Sequence, residues 1–344
     1  MRQFTLTQRP RDMRRFLPLA AVLIALPLIA QNPNVPRSGH DRSALATVLH
    51  DTIVYAAADD SSQRVTEVLP GHEVVVVERT GPWVKVFANT DKPDRTDDAD
   101  TPEFSADAPT PQSGWIKDKG LVSFATPDGD AILFGSAADL EDVASRPHAP
   151  TYAASSAHLL YARVVNYFPQ SRLDPEAAYR SADIRWQLTK FDNASLPSAH
   201  EQEAYLRPQI YEGDMKRIIK FYPQTDYAAL AAWDLLDNKL CGDWQGLPKC
   251  PEMEAHLYLK YAQNWQASSK AAEATYDAAY RYGVLVSMYL VDNNKGRSKS
   301  AAKDAEKIAE DMRTRFPDSD FTRRAQSIVF RVQQGVPIFG SDRE

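Results

Sequence analysis

The stretch TRFPDSDF, Thr314–Phe321, contains a pattern that occurs twice earlier, as NYFPQS from Asn166 and KFYPQTDY from Lys220. Each copy sets an aromatic before Pro, a polar or acidic residue after it, then Ser or Thr. Proline has no backbone N–H and pushes the residue before it out of helical geometry. A Ser or Thr hydroxyl, in turn, suits the start of a helix. The pattern therefore reads as helix punctuation and not as a ligand signature: Pro317 stops one helix, Asp318 to Asp320 open the next, and Phe316 packs beneath it.

Aligning on the aromatic gives Phe168, Tyr222, Trp265 and Phe316, separated by 54, 43 and 51 residues. The third copy, NWQASSKAAEA, replaces Pro with Gln266 but keeps an aromatic and Ser. The segments that follow are Ala-rich at helical spacing, with Ala178 and Ala182, Ala228 and Ala232, Ala274 and Ala278, and Ala325. Small residues one turn apart let a neighbouring helix approach to about 8–10 Å between axes. That is how helical hairpins stack into a solenoid. The 3.6-residue period predicts helices over 156–168, 175–191, 201–222, 226–240, 252–266, 269–291, 300–316 and 320–334. Asp174-Pro175, Ser198 and Pro251 serve as helix starts.

These residues resemble tetratricopeptide (TPR) proteins of the bacterial envelope, whose Y-P-x-S-x-Y/W-A-x-x-A step marks the passage between hairpins. Pro223 and Pro317 fit the terminal Pro of a unit, and Tyr282-Gly283 fits a Leu-Gly step. The resemblance spans 154–336, and its units are longer than the standard 34 residues.

The first half has another rhythm. From 46 to 124, short Val- and Ile-rich runs (TIVYAAA, RVTEVL, EVVVVERT, WVKVFA and GWIKDKGLVSF) are broken by Pro70-Gly71, Gly81-Pro82 and Gly114. Five or six such strands suggest a small closed barrel. Leu69-Pro70-Gly71-His72-Glu73-Val74-Val75-Val76, Gly81-Pro82-Trp83-Val84-Lys85-Val86, Gly114-Trp115-Ile116 and Leu121-Val122 resemble, in order, the bacterial SH3-like (SH3b) family. Its early R-x-G-P turn is replaced by Ala57-Ala58-Asp59-Asp60. The expected fold is thus multidomain: a small all-β SH3-like barrel followed by an all-α TPR-like helical solenoid. Residues 31–45 and 125–153 are expected as linkers and 337–344 as a tail. The Asp-, Thr- and Pro-rich stretch at about 90–113 is expected as a disordered insertion.

The N-terminus carries five Arg before an uncharged run, Phe16–Ala30. A basic region followed by a short apolar one is the form of a secretory signal. The expectation is export across the inner membrane to the periplasm, with residues 1–30 either cleaved or kept as an inner-membrane anchor. Without those residues the chain holds 35 basic and 45 acidic residues, a formal charge of −10. Such a chain is unsuited to phosphate backbones, and nucleic acid is excluded as a partner. Export also permits a disulfide between Cys241 and Cys250 in CGDWQGLPKC.

Catalytic signatures are absent from the sequence: no H-E-x-x-H, G-x-S-x-G, P-loop or dinucleotide fingerprint. Glu252 and His256, one turn apart, read as helix-start chemistry and not as a metal site, and no cofactor or metal is expected. The expectation is a non-enzymatic binding or scaffold protein. The resemblance implies peptidoglycan peptides or a cell-wall protein as ligand of the barrel and an envelope protein segment as partner of the helices. An accessory subunit of an outer-membrane assembly or export machine is the alternative, and an envelope hydrolase a distant third. Candidate contact residues are Tyr55, Trp83 and Trp115 in the barrel, with the two tryptophans at family core positions. On the helices they are Trp233, Trp244, Tyr276, Tyr280 and Tyr289, where core packing competes with a groove role.

Overall fold

A computed structural model describes residues 44–91 and 110–339. The segment 1–30 and most of the acidic insertion lie outside the described residues. Within them, seven antiparallel strands precede nine α-helices, so the β-then-α organisation holds.

The strands are β1 (Leu45–Val48), β2 (Thr52–Tyr55), β3 (Arg64–Val68), β4 (Glu73–Thr80), β5 (Trp83–Ala88), β6 (Gln112–Lys117) and β7 (Leu121–Val122). They pair in the order β3-β2-β6-β5-β4-β1-β7. Alternation sends Val54, Val74, Val84, Val86, Ala88 and Ile116 into one core. The expected barrel is not closed by strand pairing, because β3 and β7 remain the edges. A helical layer takes over at β7: Val122 joins the cluster around Leu133, Leu160 and Tyr161 and so leaves the strand core.

That layer includes the first correction. The expected linker 125–153 contains a helix, α1 (Gly129–Ala144), with Leu133 and Ala137 fully buried. Pro127, Gly129 and Gly135 disguised it as loop. Gly129 is needed for close approach, since a Cβ there would lie 2.5 Å from the Phe168 ring.

The remaining helices are α2 (Ala153–Tyr167), α3 (Asp174–Ala194), α4 (Gly213–Phe221), α5 (Asp226–Asp234), α6 (Lys249–Asn264), α7 (Ala271–Val291), α8 (Lys295–Arg315) and α9 (Asp320–Gln333). Helix 201–222 is only half present. Two short 3-10 turns, Pro197–His200 and Ala204–Leu206, precede α4, and Arg207 is extended ahead of Pro208, as the proline demands. Ser198 consequently lies inside a 3-10 turn and caps no α-helix. The expected helix 226–240 stops at Asp234. Just beyond it, Asn238 clasps the extended chain at Ile210, accepting from its N–H at 3.0 Å and donating to its carbonyl at 2.8 Å.

The four repeated breaks share one geometry. Phe168, Tyr222, Trp265 and Phe316 each follow the last residue of a helix, with φ between −123° and −133° and ψ between 48° and 56°. Three residues on, Ser171, Thr225, Ser268 and Ser319 each donate a backbone N–H to the aromatic residue's carbonyl. Their hydroxyls accept the N–H of a residue two or three further along. Trp265 adopts this geometry without proline, so the hydroxyl and the aromatic, not the ring of Pro, define the break. Ala177, Ala228, Ala274 and Ala325 are fully buried in the helices that follow.

Sheet and helices belong to one compact unit. Gly71, at φ 87°, lies against α2, where a Cβ would sit 2.8 Å from both Leu159 Cβ and the Ser156 carbonyl. Tyr167 on α2 donates to Glu73 at 2.6 Å and accepts from Thr47 at 3.1 Å. Arg163 pairs with Asp91 and lies 3.6 Å from Glu73. Asp91, inside the stretch expected as a disordered insertion, is thus fixed at the junction, and Gln112 already begins β6. Burial works to raise the Asp91 carboxyl, yet the hydrogen bond from His72 and the charge of Arg163 hold it below the usual carboxylate range. The expected tail is also tied down at its start. Ile338 is buried and donates its N–H to Ser287, close over Gly283, where a Cβ would meet the Ile338 side chain at 3.0 Å.

Candidate functional site

Strand register decides where the sheet aromatics go. In β5, Val84 and Val86 face the core, so Trp83, Lys85 and Phe87 face outward. In β6, Gly114 and Ile116 are buried, leaving Trp115 and Lys117 on the same outer face. Lys85 pairs directly with Trp115, Trp83 with Lys117, and Tyr55 of β2 with Trp115. All three sheet residues singled out in the sequence therefore converge on the outer face, where Trp83 is buried as expected and Trp115 only partly so.

Trp83 is covered, with 7 % of its surface exposed. Tyr55 meets it edge-on at 5.7 Å between centroids, and Lys117 Nζ sits 3.8 Å over its ring. Lys117 also pairs with Asp60 at 2.7 Å, which gives the altered Ala57–Asp60 turn a local task. Trp115 and Tyr55 stay half-exposed, Phe87 is 41 % exposed, and Lys85 Nζ lies 5.9 Å from the Trp115 ring. The result is an aromatic platform bordered by two lysines. Such a surface stacks on flat or apolar groups and attracts carboxylates at its rim.

The helical aromatics do not form one groove. Trp244 and Tyr289 are each 4 % exposed and belong to core clusters. Tyr276 packs between Tyr280 and Phe321, and Tyr280 donates to the Phe339 carbonyl at 3.2 Å. Trp233 lines a cavity of about 120 Å³ with Gln187, Lys190, Asp234, Leu236, Asp237, Leu240 and Tyr258. Its acidic members, Asp234 at the end of α5 and Asp237 in the turn after it, lie three residues apart, and only the packing of α3 and α6 against them makes a cavity of that stretch.

Cys241 and Cys250 form a disulfide, with Cα atoms 5.9 Å apart. The loop they close is held from inside by Glu254 of α6, which accepts from Cys241 N at 2.9 Å, Trp244 Nε1 at 3.2 Å and Arg281 Nε at 3.1 Å. Glu254 and Arg281 are both essentially without solvent contact. The pair Glu252 and His256 is engaged otherwise: Glu252 pairs with Arg297, and its carbonyl lies 2.7 Å from His256 Nδ1. Among the described residues, no group of three His, Cys, Asp or Glu side chains is placed to hold a metal ion. No described helix is long and apolar enough to cross a membrane.

Compared with known proteins, the chain matches no protein-family model and no curated protein.

Proposed function

We propose that the protein is a non-catalytic binding factor of the bacterial cell envelope. In this reading an SH3-like sheet domain engages wall peptides or a wall protein, and a TPR-like helical array serves as the scaffold for a protein partner. The observation that carries it is the outward aromatic platform of Tyr55, Trp115 and Phe87 with Lys85 and Lys117 at its border. Peptide stems of the wall offer carboxylates to Lys85 and short apolar side chains to the rings, while Lys117, held by Asp60, braces the platform from beneath. The extensive docking of the sheet on α2 supports a rigid relation between platform and scaffold, so that one ligand's position determines the other's.

The test uses the chain from residue 31, which retains the whole described region. Cosedimentation with purified peptidoglycan is expected for the wild type. Substituting Trp115→Ala and Lys85→Glu together is expected to abolish it while leaving the circular dichroism spectrum and thermal midpoint close to wild type. Equal retention of wild type and variant refutes the platform as the site. No retention of either, with envelope proteins still crosslinked to the helices in cells, favours the assembly-machine alternative.

A further inference from the structure

The cavity beside Trp233 is unlike the rest of the helical surface. Its walls come from α3, from α5 with the turn after it, and from α6, and they combine two aromatic rings with two carboxylates. Trp233 and Tyr258 stand 5.7 Å apart between centroids, tilted by 44°. Asp237 Oδ2 is occupied, accepting from Trp186 Nε1 at 3.1 Å and from Lys190 Nζ at 2.9 Å. Asp234 is 8 % exposed, and one oxygen accepts from Tyr179 OH at 3.2 Å. The other oxygen of Asp234 accepts no hydrogen bond from the described residues.

Asp234 lines the cavity, and its second oxygen is not sealed away as a buried unpaired atom, so it is open to a donor that enters there. The charges around it do not supply that donor. On α3, Asp183 adds a further negative charge, while Lys190 is committed to Asp237. Lys270, at the start of α7, lies 5.3 Å over Trp233 and pairs with Glu273. Tyr258 and Tyr261 of α6 are neutral at ordinary pH. The cavity thus sets two carboxylates, Asp234 and Asp237, against the one ammonium of Lys190, and Leu236, Leu240 and the two rings make its apolar walls.

We propose that this cavity binds a primary alkylammonium group, either free or as the lysine-type side chain of a partner polypeptide, with Asp234 as its counter-ion. The ammonium donates to the open oxygen of Asp234, and the alkyl stem lies along Leu236 and Leu240 and against the edges of Trp233 and Tyr258. The cavity volume of about 120 Å³ admits one such group and little else. Cation attraction by the ring faces adds little, because Lys270 already lies over Trp233 and Arg281, at 4.4 Å, over Tyr258. This site is separate from the sheet platform and does not depend on the reading given for it.

A consequence follows for pH. Burial, and then the charge of Asp183, push the Asp234 carboxyl up to about 7. Tyr179 and Lys190 on α3 and Asp237 after α5 act on it as well, the first and second lowering it and the third raising it. An ammonium requires the charged form, so binding strengthens as pH rises through this range.

The probe is n-butylammonium chloride, titrated into the chain from residue 31 at constant ionic strength. The readout is the Trp233 indole N–H resonance, assigned with Trp233→Phe. A saturable shift is expected at about pH 8, weakening roughly thirtyfold at about pH 5.5 as the carboxyl takes up a proton. n-Butanol is expected to produce none. Asp234→Asn, which keeps the shape and an acceptor for Tyr179, is expected to stay folded and lose the response. A parallel titration with Nα-acetyl-lysine methylamide separates the sources: binding of both probes points to a side chain of a polypeptide, and binding of butylammonium alone points to a small amine. No saturable shift, an equal response to butanol, or undiminished binding by Asp234→Asn overturns the proposal. Because the readout lies on the helices, that failure is independent of cosedimentation with the wall.

Discussion

Glu254 and Arg281 form an ion pair with almost no solvent contact, and neutralising one partner should expose what holds the second half of the molecule together. Glu254 accepts three hydrogen bonds, from the Cys241 backbone, the Trp244 indole and Arg281. Replacing it by Gln keeps the shape and one acceptor oxygen but removes the charge. Arg281 keeps the Asp277 carboxylate, at 3.4 Å, the Asp277 carbonyl, at 3.2 Å, and the Tyr258 hydroxyl, at 3.3 Å, but loses its most buried counter-charge. Breaking a buried pair from one side costs about 3–5 kcal/mol, because the remaining charge is left poorly compensated. Glu254→Gln is expected at the lower end, about 3 kcal/mol, and Arg281→Met at a similar cost. The double substitution removes both charges, so it should be less damaging than the sum of the singles by about 2 kcal/mol or more. Urea unfolding with the disulfide intact, followed by far-ultraviolet circular dichroism and tryptophan fluorescence, measures all three. Single costs below about 1 kcal/mol, or a double that equals the sum, would refute the claim that this pair organises the cysteine loop.

The raised Asp234 carboxyl carries a second expectation. In the unfolded chain it releases its proton near the ordinary value of 3.8 but in the fold only near 7, so native stability falls as pH climbs between the two. Asp234→Asn should match wild type near pH 4 and exceed it above pH 7 by up to ~4 kcal/mol, and a pH-independent difference would contradict this. Gly71→Val should cost about 2–3 kcal/mol and raise hydrogen exchange in α2, through clash with Ser156 and Leu159 and a left-handed backbone. An unchanged unfolding midpoint would count against the docked sheet. Cys241→Ser with Cys250→Ser should lower stability by about 2–3 kcal/mol through freer unfolded chains. If unfolding in urea is the same for this variant and the oxidised protein, the crosslink is structurally idle.

The aromatic–x–x–Ser/Thr breaks were legible in the sequence because they act locally. A hydroxyl capping the N–H two or three residues on, and a carbonyl taking the N–H three residues on, need no partner from afar. The strand rhythm of 46–124 was legible for the same reason, since alternation follows from the pleat. The sequence also brought Cys241 and Cys250 together, at a separation of nine residues. What it left open lay in long-range packing. The helix at Gly129–Ala144 was hidden because its glycine serves contact with Phe168, 39 positions away, and not a turn. Trp115 has the spacing of a core residue, yet the register that Val84, Val86 and Ile116 set by filling the interior turns it outward, while Trp83 is buried beneath Tyr55 and Lys117. The acidic cavity, too, belongs to tertiary structure: Asp234, Asp237, Lys190 and Tyr258 carry no shared motif, and only packing of α3, α5 and α6 sets them around one space. By itself, then, the chain determined the four repeated helix breaks and the strand rhythm, because capping and alternation are settled within a few residues. Which faces stay open, and which charges meet, was decided by burial between segments far apart in sequence.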